Sequence, residues 1–182
     1  SYSGMRLQDM KDIFAHLMAG PARANKVAGH DLRWPFSWRF LMWIWKWLFF
    51  EPGAFADDPG KSASWNRGAY LVQVVAHCGE CHTGRNWLGA VDHALVLAGT
   101  AKGPDGRSVP NITPDNRTGI GGWSRGDGVD LLSSGLKPDF DDVQGAMAEA
   151  IEGGLKFLTP ADRGAIADYL LTLPPRRHRI PG

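Results

Sequence analysis

Cys78-Gly79-Glu80-Cys81-His82 constrains this chain more than any other stretch, because a C-x-x-C-H pentapeptide fits covalent attachment of haem. Two thiols three positions apart can add to the two vinyl groups of one porphyrin. The adjoining imidazole then reaches the iron from one face, and the porphyrin becomes part of the core of a small domain. The only two cysteines both lie in this pentapeptide. Two other readings of the pair exist. A thioredoxin-like redox pair belongs in a βαβ context, whereas residues 64–82 read as a helix-like segment. A structural zinc site needs four ligands, and there is no second Cys pair.

The length, 182 residues, suits one ordinary domain plus extras. Lys and Arg number 20 against 19 Asp and Glu, a net charge of +1, so no global field points to nucleic acid or an acidic membrane. Gly 23 and Pro 12 are high counts and predict long irregular connections between short helices. No apolar run reaches the ~18–20 uncharged residues that a bilayer span requires. Ser1 is not an initiator methionine, so a processed or trimmed product is expected and a missing signal peptide says little about targeting. Attachment through C-x-x-C-H implies export, to a bacterial periplasm.

Composition separates four segments. Residues 1–22 read as a short helical stretch and 23–63 as a linker rich in Trp, Phe and Pro. Residues 64–175 read as a compact all-α domain, and 176–182 as a solvated basic tail that could also meet an acidic partner. Ser64 is placed to cap a helix running through Tyr70, Leu71, Val74 and Val75 towards the pentapeptide. Ser124 with Asp127 makes a capping-box-like start for a helix carrying Val129, Leu131 and Leu132 that stops at Gly135. Asp141 or Asp142 opens a helix through Val143, Met147 and Ile151 to Gly153-Gly154. Thr159-Pro160-Ala161-Asp162 combines a cap, a first-turn proline and a first-turn acid. That last helix shows Ile166, Tyr169, Leu170 and Leu173 on one face and stops at Pro174-Pro175. Strand-like alternation is nearly absent, which predicts an all-α fold.

An internal repeat bears on the N-terminal helix. Asp9, Ile13, Leu17 and Pro21 match Asp162, Ile166, Leu170 and Pro174 at one constant offset, with His16 opposite Tyr169. Two amphipathic helices can agree in this way through their shared period alone. The sharper reading makes residues 1–22 the terminal helix of a preceding domain of the same kind.

His82 is the expected proximal ligand, since its place beside Cys81 sets it under the iron. A ligating imidazole needs an acceptor for its other ring nitrogen. The Pro110 carbonyl is a candidate because proline restricts the local backbone, and the adjacent Asn111 is a further cofactor-binding candidate. For the sixth position Met147 lies between Ala146 and Ala148, small neighbours that let a haem plane approach. A thioether favours ferrous iron relative to a second histidine. The other reading of Met147 is as a filler of core space, and His93, in a polar loop, is the rival ligand. Met5, Met10, Met18 and Met42 are assigned to other packing. His77 reads as a surface residue further round the same helix. Trp123, flanked by Gly121-Gly122, could donate its indole N–H to a haem propionate or be an ordinary core tryptophan. Arg85, Asn86 and Arg107 could meet propionates or simply face solvent.

Several ordered strings resemble a known family. Asn66-Arg67-Gly68-Ala69-Tyr70-Leu71-Val72 and Ala76-His77-Cys78-Gly79-Glu80-Cys81-His82-Thr83 resemble the cytochrome c subunit of membrane-bound, quinone-linked alcohol and aldehyde dehydrogenases. So do Pro110-Asn111-Ile112-Thr113-Pro114-Asp115, Thr118-Gly119-Ile120-Gly121-Gly122-Trp123-Ser124, the stretch Pro138 to Ala148, and Leu158-Thr159-Pro160-Ala161-Asp162. Leu32 to Phe50 resembles the segment joining two haem domains in that family. The resemblance implies an all-α, class I-like cytochrome c domain with long irregular loops, preceded by an aromatic-rich linker and a lone helix. It implies haem c with Cys78 and Cys81 as thioether sites, His82 as proximal and Met147 as distal ligand. It also implies a periplasmic complex, membrane-associated, in which electrons pass from a dehydrogenase subunit towards ubiquinone or a terminal oxidase. Members usually carry three haem domains in tandem. This chain has a single C-x-x-C-H and so departs from that pattern, with one haem expected here and others on further domains or subunits. The architecture also resembles cytochrome subunits serving molybdenum hydroxylases, so the catalytic partner is a quinoprotein or a molybdenum enzyme.

Five of the eight tryptophans, Trp34, Trp38, Trp43, Trp45 and Trp47, crowd into the linker beside Phe36, Phe40, Phe49 and Phe50. Such a patch should be covered, by a haem domain, by a partner subunit or by peripheral contact with a membrane surface. The leading functional expectation is an electron-transfer subunit rather than an enzyme. The alternative is a haem enzyme, a peroxidase or sulfur-compound oxidase with an exchangeable sixth ligand, for which the sequence offers no clear distal His or Arg constellation.

Overall fold

Helices form wherever caps and apolar spacing coincide in this chain, and the computed structural model describes them over residues 1–180. Two units emerge, one of Ser3–Phe55 and a larger one of Ser1–Tyr2 with the residues from Ala56 on. The smaller unit holds α1 (Leu7–Met18) and α2 (Phe40–Phe49). The larger holds α3 (Ala63–Tyr70), α4 (Gly79–His82), α5 (Arg125–Ser134), α6 (Ala146–Gly153) and α7 (Pro160–Leu171). Among the described residues strand pairing is confined to isolated bridges, such as Thr83 with Gly99 and Thr100 with Val109. The fold is all-α.

Two of the helix starts form as the caps predict. Thr159 Oγ1 accepts from the Asp162 N–H at 3.1 Å ahead of Pro160. Ser124 and Asp127 close a reciprocal capping box, and Gly135, at φ 84°, ends α5. Two other starts are corrected. Ser62, not Ser64, caps α3 by accepting from Trp65 N–H at 3.1 Å, because its own backbone is extended. Ser64 lies inside the helix, where its hydroxyl donates to Asp168 at 3.1 Å. Neither Asp141 nor Asp142 opens α6. Asp142 bridges Leu136, and Val143 N–H donates to the Gly135 carbonyl at 3.0 Å, which keeps this stretch extended until Gly145. Gly145 takes φ 61°, and the helix starts after it.

α3 and α7 form the centre of the larger unit. They meet at Gly68, where an added Cβ would lie 1.9 Å from the Ala165 carbonyl oxygen, so only glycine permits this approach. Tyr70, Leu71, Val72, Ile151 and Ile166 are fully buried in this unit. Burying each large aliphatic side chain contributes roughly 1.5–3 kcal/mol. Polar links line the seam: Arg67 grips Asp162 through two bonds of 2.7 and 3.1 Å, Trp65 Nε1 donates to Thr172 at 2.8 Å, and Gln73 donates to the Tyr169 hydroxyl at 2.6 Å.

In the smaller unit the reading of residues 23–63 as a plain linker misses α2, which forms because no breaker follows Pro35 until Pro52. Leu41, Trp45 and Phe49 on one side are half-buried, whereas Trp43 and Trp47 are 80% and 83% exposed. The Trp34–Pro35 bond is cis, and Trp38 packs edge-on to Trp34 and stacks on Phe40. α1 buries no residue. It matches α7 in length, twelve residues each, and in place, at the same offset as the repeat. No helix among the described residues is long and apolar enough to cross a membrane.

Candidate haem-attachment site

α3 does not run straight into the pentapeptide. Leu71–Val75 forms a π-helical turn, with Ala76 N–H donating to Leu71 at 2.8 Å and Cys78 N–H to Val72 at 2.9 Å. Such turns are frequent at functional sites. His77 follows at φ 39°, a left-handed conformation that redirects the chain into α4. It is therefore not an exposed residue further round α3. Its ring is half-buried and stands edge-on to Tyr2 with centroids 5.2 Å apart.

Within α4 the His82 N–H donates to the Cys78 carbonyl at 2.9 Å, so Cys78 and Cys81 lie one turn apart on the same side. Both are half-buried and both are free thiols. Burial pushes the Cys78 thiol up to about 11, against the pull of a backbone hydrogen bond. Among the described residues no three His, Cys, Asp or Glu side chains gather to hold a metal ion.

His82 is 7% exposed, and its Nδ1 lies 2.8 Å from the Pro110 carbonyl oxygen. A carbonyl only accepts, so Nδ1 carries the proton and Nε2 keeps its lone pair. Burial holds the ring's pKa below the usual histidine value, with the Pro110 contact opposing. A buried, neutral imidazole with a free Nε2 is the form that ligates iron. The loop that brings Pro110 here is pinned to α4. Gly99 N–H donates to the His82 carbonyl at 2.8 Å, and Leu97 N–H to Thr83 Oγ1 at 3.0 Å. Gly99 has φ 81°, and a Cβ there would meet Val109 O at 2.6 Å and Asn111 N at 2.7 Å.

Asn111 is buried, and its amide is committed to the loop. Nδ2 donates to the Arg176 carbonyl at 2.7 Å and to Thr118 Oγ1 at 3.0 Å, while Oδ1 accepts from Thr113 N–H at 2.8 Å and Thr113 Oγ1 at 2.7 Å. This network overturns the solvated reading of the basic tail. Arg176 N–H donates to Thr113 Oγ1 at 3.1 Å, its guanidinium to the Ala94 carbonyl, and His178 N–H to Thr118 Oγ1 at 3.2 Å. The last two tail residues, 181 and 182, lie outside the described residues. Sequence reasoning missed Thr113, Thr118, Arg176 and His178, whose partners lie up to 80 positions away.

Met147 stands in the first turn of α6, half-buried and outside the apolar core. Trp123 is half-buried immediately before the α5 capping box, its N–H bonded to Ile120 at 3.0 Å. His93 is exposed in a short 3-10 turn. Arg85 pairs with Glu80 and Asn86 closes its own turn through Leu88 and Ala90 N–H at 2.9 and 3.0 Å, while Arg107 is exposed.

Two thiols one helical turn apart, beside a buried neutral imidazole in an all-α unit, make the donor set of a c-type haem-attachment site. The residues present fit haem c in thiol count, tautomer and second-nitrogen partner. No protein-family model matches the chain. Across nearly its whole length it is homologous to cytochrome c subunits of dehydrogenases. A diheme cytochrome c-type protein of Cereibacter sphaeroides is 39% identical over 175 residues, 96% of this chain and 57% of that protein. The fructose dehydrogenase cytochrome subunit of Gluconobacter japonicus is 38% identical over 176 residues, 96% of this chain and 36% of its own length. The cytochrome c subunit of the alcohol dehydrogenase (quinone) of Gluconacetobacter polyoxogenes is 35% identical over 188 residues, 96% of this chain and 39% of that subunit. The chain thus spans little more than half of the first relative and under two fifths of the other two.

Proposed function

We propose that this chain is the electron-transfer part of a dehydrogenase complex and holds one haem c, covalently, on Cys78 and Cys81. His82 Nε2 is the proximal ligand and the Met147 thioether the distal one. The observation that carries the reading is the 2.8 Å contact of His82 Nδ1 with the Pro110 carbonyl, one residue from a free thiol. Bound there, haem c supplies a reversible one-electron iron couple. The chain's own groups adjust that couple. Pro110 orients the imidazole and raises its basicity, the Met147 thioether favours the ferrous state, and Trp123 is offered to the cofactor's edge.

The fitting donor is a dehydrogenase catalytic subunit, a quinoprotein or a molybdenum enzyme. The acceptors that fit are other haem domains or subunits, a quinone or a terminal oxidase. The names of the relatives support the donor class. The location that follows from covalent haem attachment is a bacterial periplasm, with membrane association through the complex. The matched length and offset of α1 and α7 support α1 as the closing helix of a preceding haem domain.

The test is production alongside a haem-attachment pathway, followed by intact mass and the reduced optical spectrum with and without carbon monoxide. The expected result is one haem per chain, no carbon monoxide binding by the wild type, and binding by Met147→Ala. A chain that leaves the pathway without covalent haem overturns the proposal. Carbon monoxide binding by the wild type, or an unchanged spectrum in Met147→Ala, removes Met147 from the iron.

A further inference from the structure

The geometry points to Arg176–Ile180 as a positioning strap for the proximal imidazole, an inference that rests on haem attachment at Cys78–His82. The Pro110 carbonyl can hold His82 Nδ1 only while the loop around it is fixed. On its near side Val109 pairs with Thr100 through backbone bonds of 2.8 and 2.9 Å, and on its far side Ile112 N–H donates to the Leu97 carbonyl at 2.9 Å, while Pro110 itself is exposed. The next residue, Asn111, is the hub. It ties Thr113 and Thr118 together and reaches the Arg176 carbonyl at 2.7 Å. The strap returns each of these links. Arg176 N–H donates to Thr113 Oγ1, His178 N–H donates to Thr118 Oγ1, and the His178 ring lies 3.0 Å from the Ala98 carbonyl. Ile180 closes on Gly99, where its Cδ1 would lie 2.4 Å from an added Cβ. Gly99 in turn donates to the His82 backbone carbonyl. The strap therefore grips both sides of the imidazole's support, the Pro110 loop and the Gly99 turn.

The grip is polar and local. A cleft of about 350 Å3, lined in part by Pro110, Asn111, Thr118, His178 and Ile180, opens between strap and loop, and the strap's apolar contact is that of Ile180 at Gly99. α3 and α7 meet elsewhere, at Gly68 and Ala165. Loosening the strap should free the imidazole without loosening the helix pair.

Thr113→Val keeps the shape of the side chain while removing its links to Asn111 and Arg176. In the reduced holoprotein, exchange of the His82 Nδ1 proton with water, followed by NMR, should accelerate roughly fivefold to thirtyfold, the effect of losing one or two buried hydrogen bonds. Thr113→Ser should return it to within about twofold, and backbone amides of α3 and α7 should exchange as in the wild type. Deleting the residues from 176 on should act like Thr113→Val. Unchanged exchange at His82, or acceleration shared equally by α3 and α7, overturns the strap. If Thr113→Val fails to mature, Thr118→Val, which cuts the links to Asn111 and His178, is read by the same criteria. A wild type lacking covalent haem is seen first, by mass, and refutes the functional reading instead.

Discussion

Replacing Gly68 with alanine tests the α3–α7 crossing where it is tightest. The new Cβ would stand 1.9 Å from the Ala165 carbonyl oxygen, 2.6 Å from its carbon and 2.8 Å from Tyr169 Cβ. An ordinary carbon–oxygen contact needs about 3.3 Å, so the helices must part by roughly 1.4 Å. The obstacle is backbone and cannot rotate aside. Overpacking costs typically about 1–3 kcal/mol, and a backbone clash belongs at the upper end. Alanine recovers about 1 kcal/mol through helix propensity, leaving a net loss near 2 kcal/mol. For a unit of this size that lowers the unfolding midpoint by roughly 6–12 °C. Gly128→Ala is the control, because its Cβ would meet only Ala167, at 3.0 Å from Cβ and 3.8 Å from Cα, a contact that small shifts can relieve. Thermal unfolding of the holoproteins, followed by far-UV circular dichroism, measures both. If Gly68→Ala unfolds at or above the wild-type midpoint, or no lower than Gly128→Ala, the close crossing is wrong.

Thr159→Ala removes the acceptor for the Asp162 N–H and should cost about 1 kcal/mol in urea unfolding; an unchanged midpoint would remove the cap from the account. The Arg67 guanidinium holds the Asp162 carboxyl below the usual carboxylate range. A depressed carboxyl contributes stability above its unfolded value of about 3.9, and that contribution is lost as pH falls through the lower folded value. Arg67→Ala should therefore shrink the stability difference between about pH 6 and pH 3. The change should be under about 1 kcal/mol, since Arg67 is partly exposed. Equal pH slopes in variant and wild type would refute the link.

Legibility in the sequence followed the distance between the residues involved. C-x-x-C-H, the Ser124–Asp127 box and the Thr159-Pro160 start depend on contacts within one turn, and spacing alone reveals them. Ser62 and Ser64 compete for one cap within two positions, and the choice turns on an extended backbone that composition does not show. The late start of α6 has a non-local cause, the pairing of Leu136 with Asp142. The π-helical turn before His77 carries no residue signature, since Leu71–Val75, apolar except for Gln73, reads as an ordinary helical turn. The tail was the least legible. Four charged or titratable residues in a row look solvated, yet two of the strap's links use the backbone N–H and carbonyl of Arg176, groups that every residue except proline carries.

α1 poses the same problem in reverse, because its sequence pattern is clear and its packing is not. Ile166 in α7 is 1% exposed, while its counterpart Ile13 in α1 is 46% exposed and Leu17 is 68% exposed. A twelve-residue helix draws little stability from its own turns and most from the face it packs. If the repeat is shared helical period alone, Ile13 has no destined partner in any form of the protein. If α1 closes a preceding haem domain, Ile13 is a core residue there, as Ile166 is here. Ile13→Ser separates the two. In this chain it should change unfolding by less than about 0.5 kcal/mol. In a longer form carrying a preceding haem domain it should cost about 2 kcal/mol or more, the loss expected for truncating a buried aliphatic side chain. Neutrality in both settings would leave the repeat as coincidence of period.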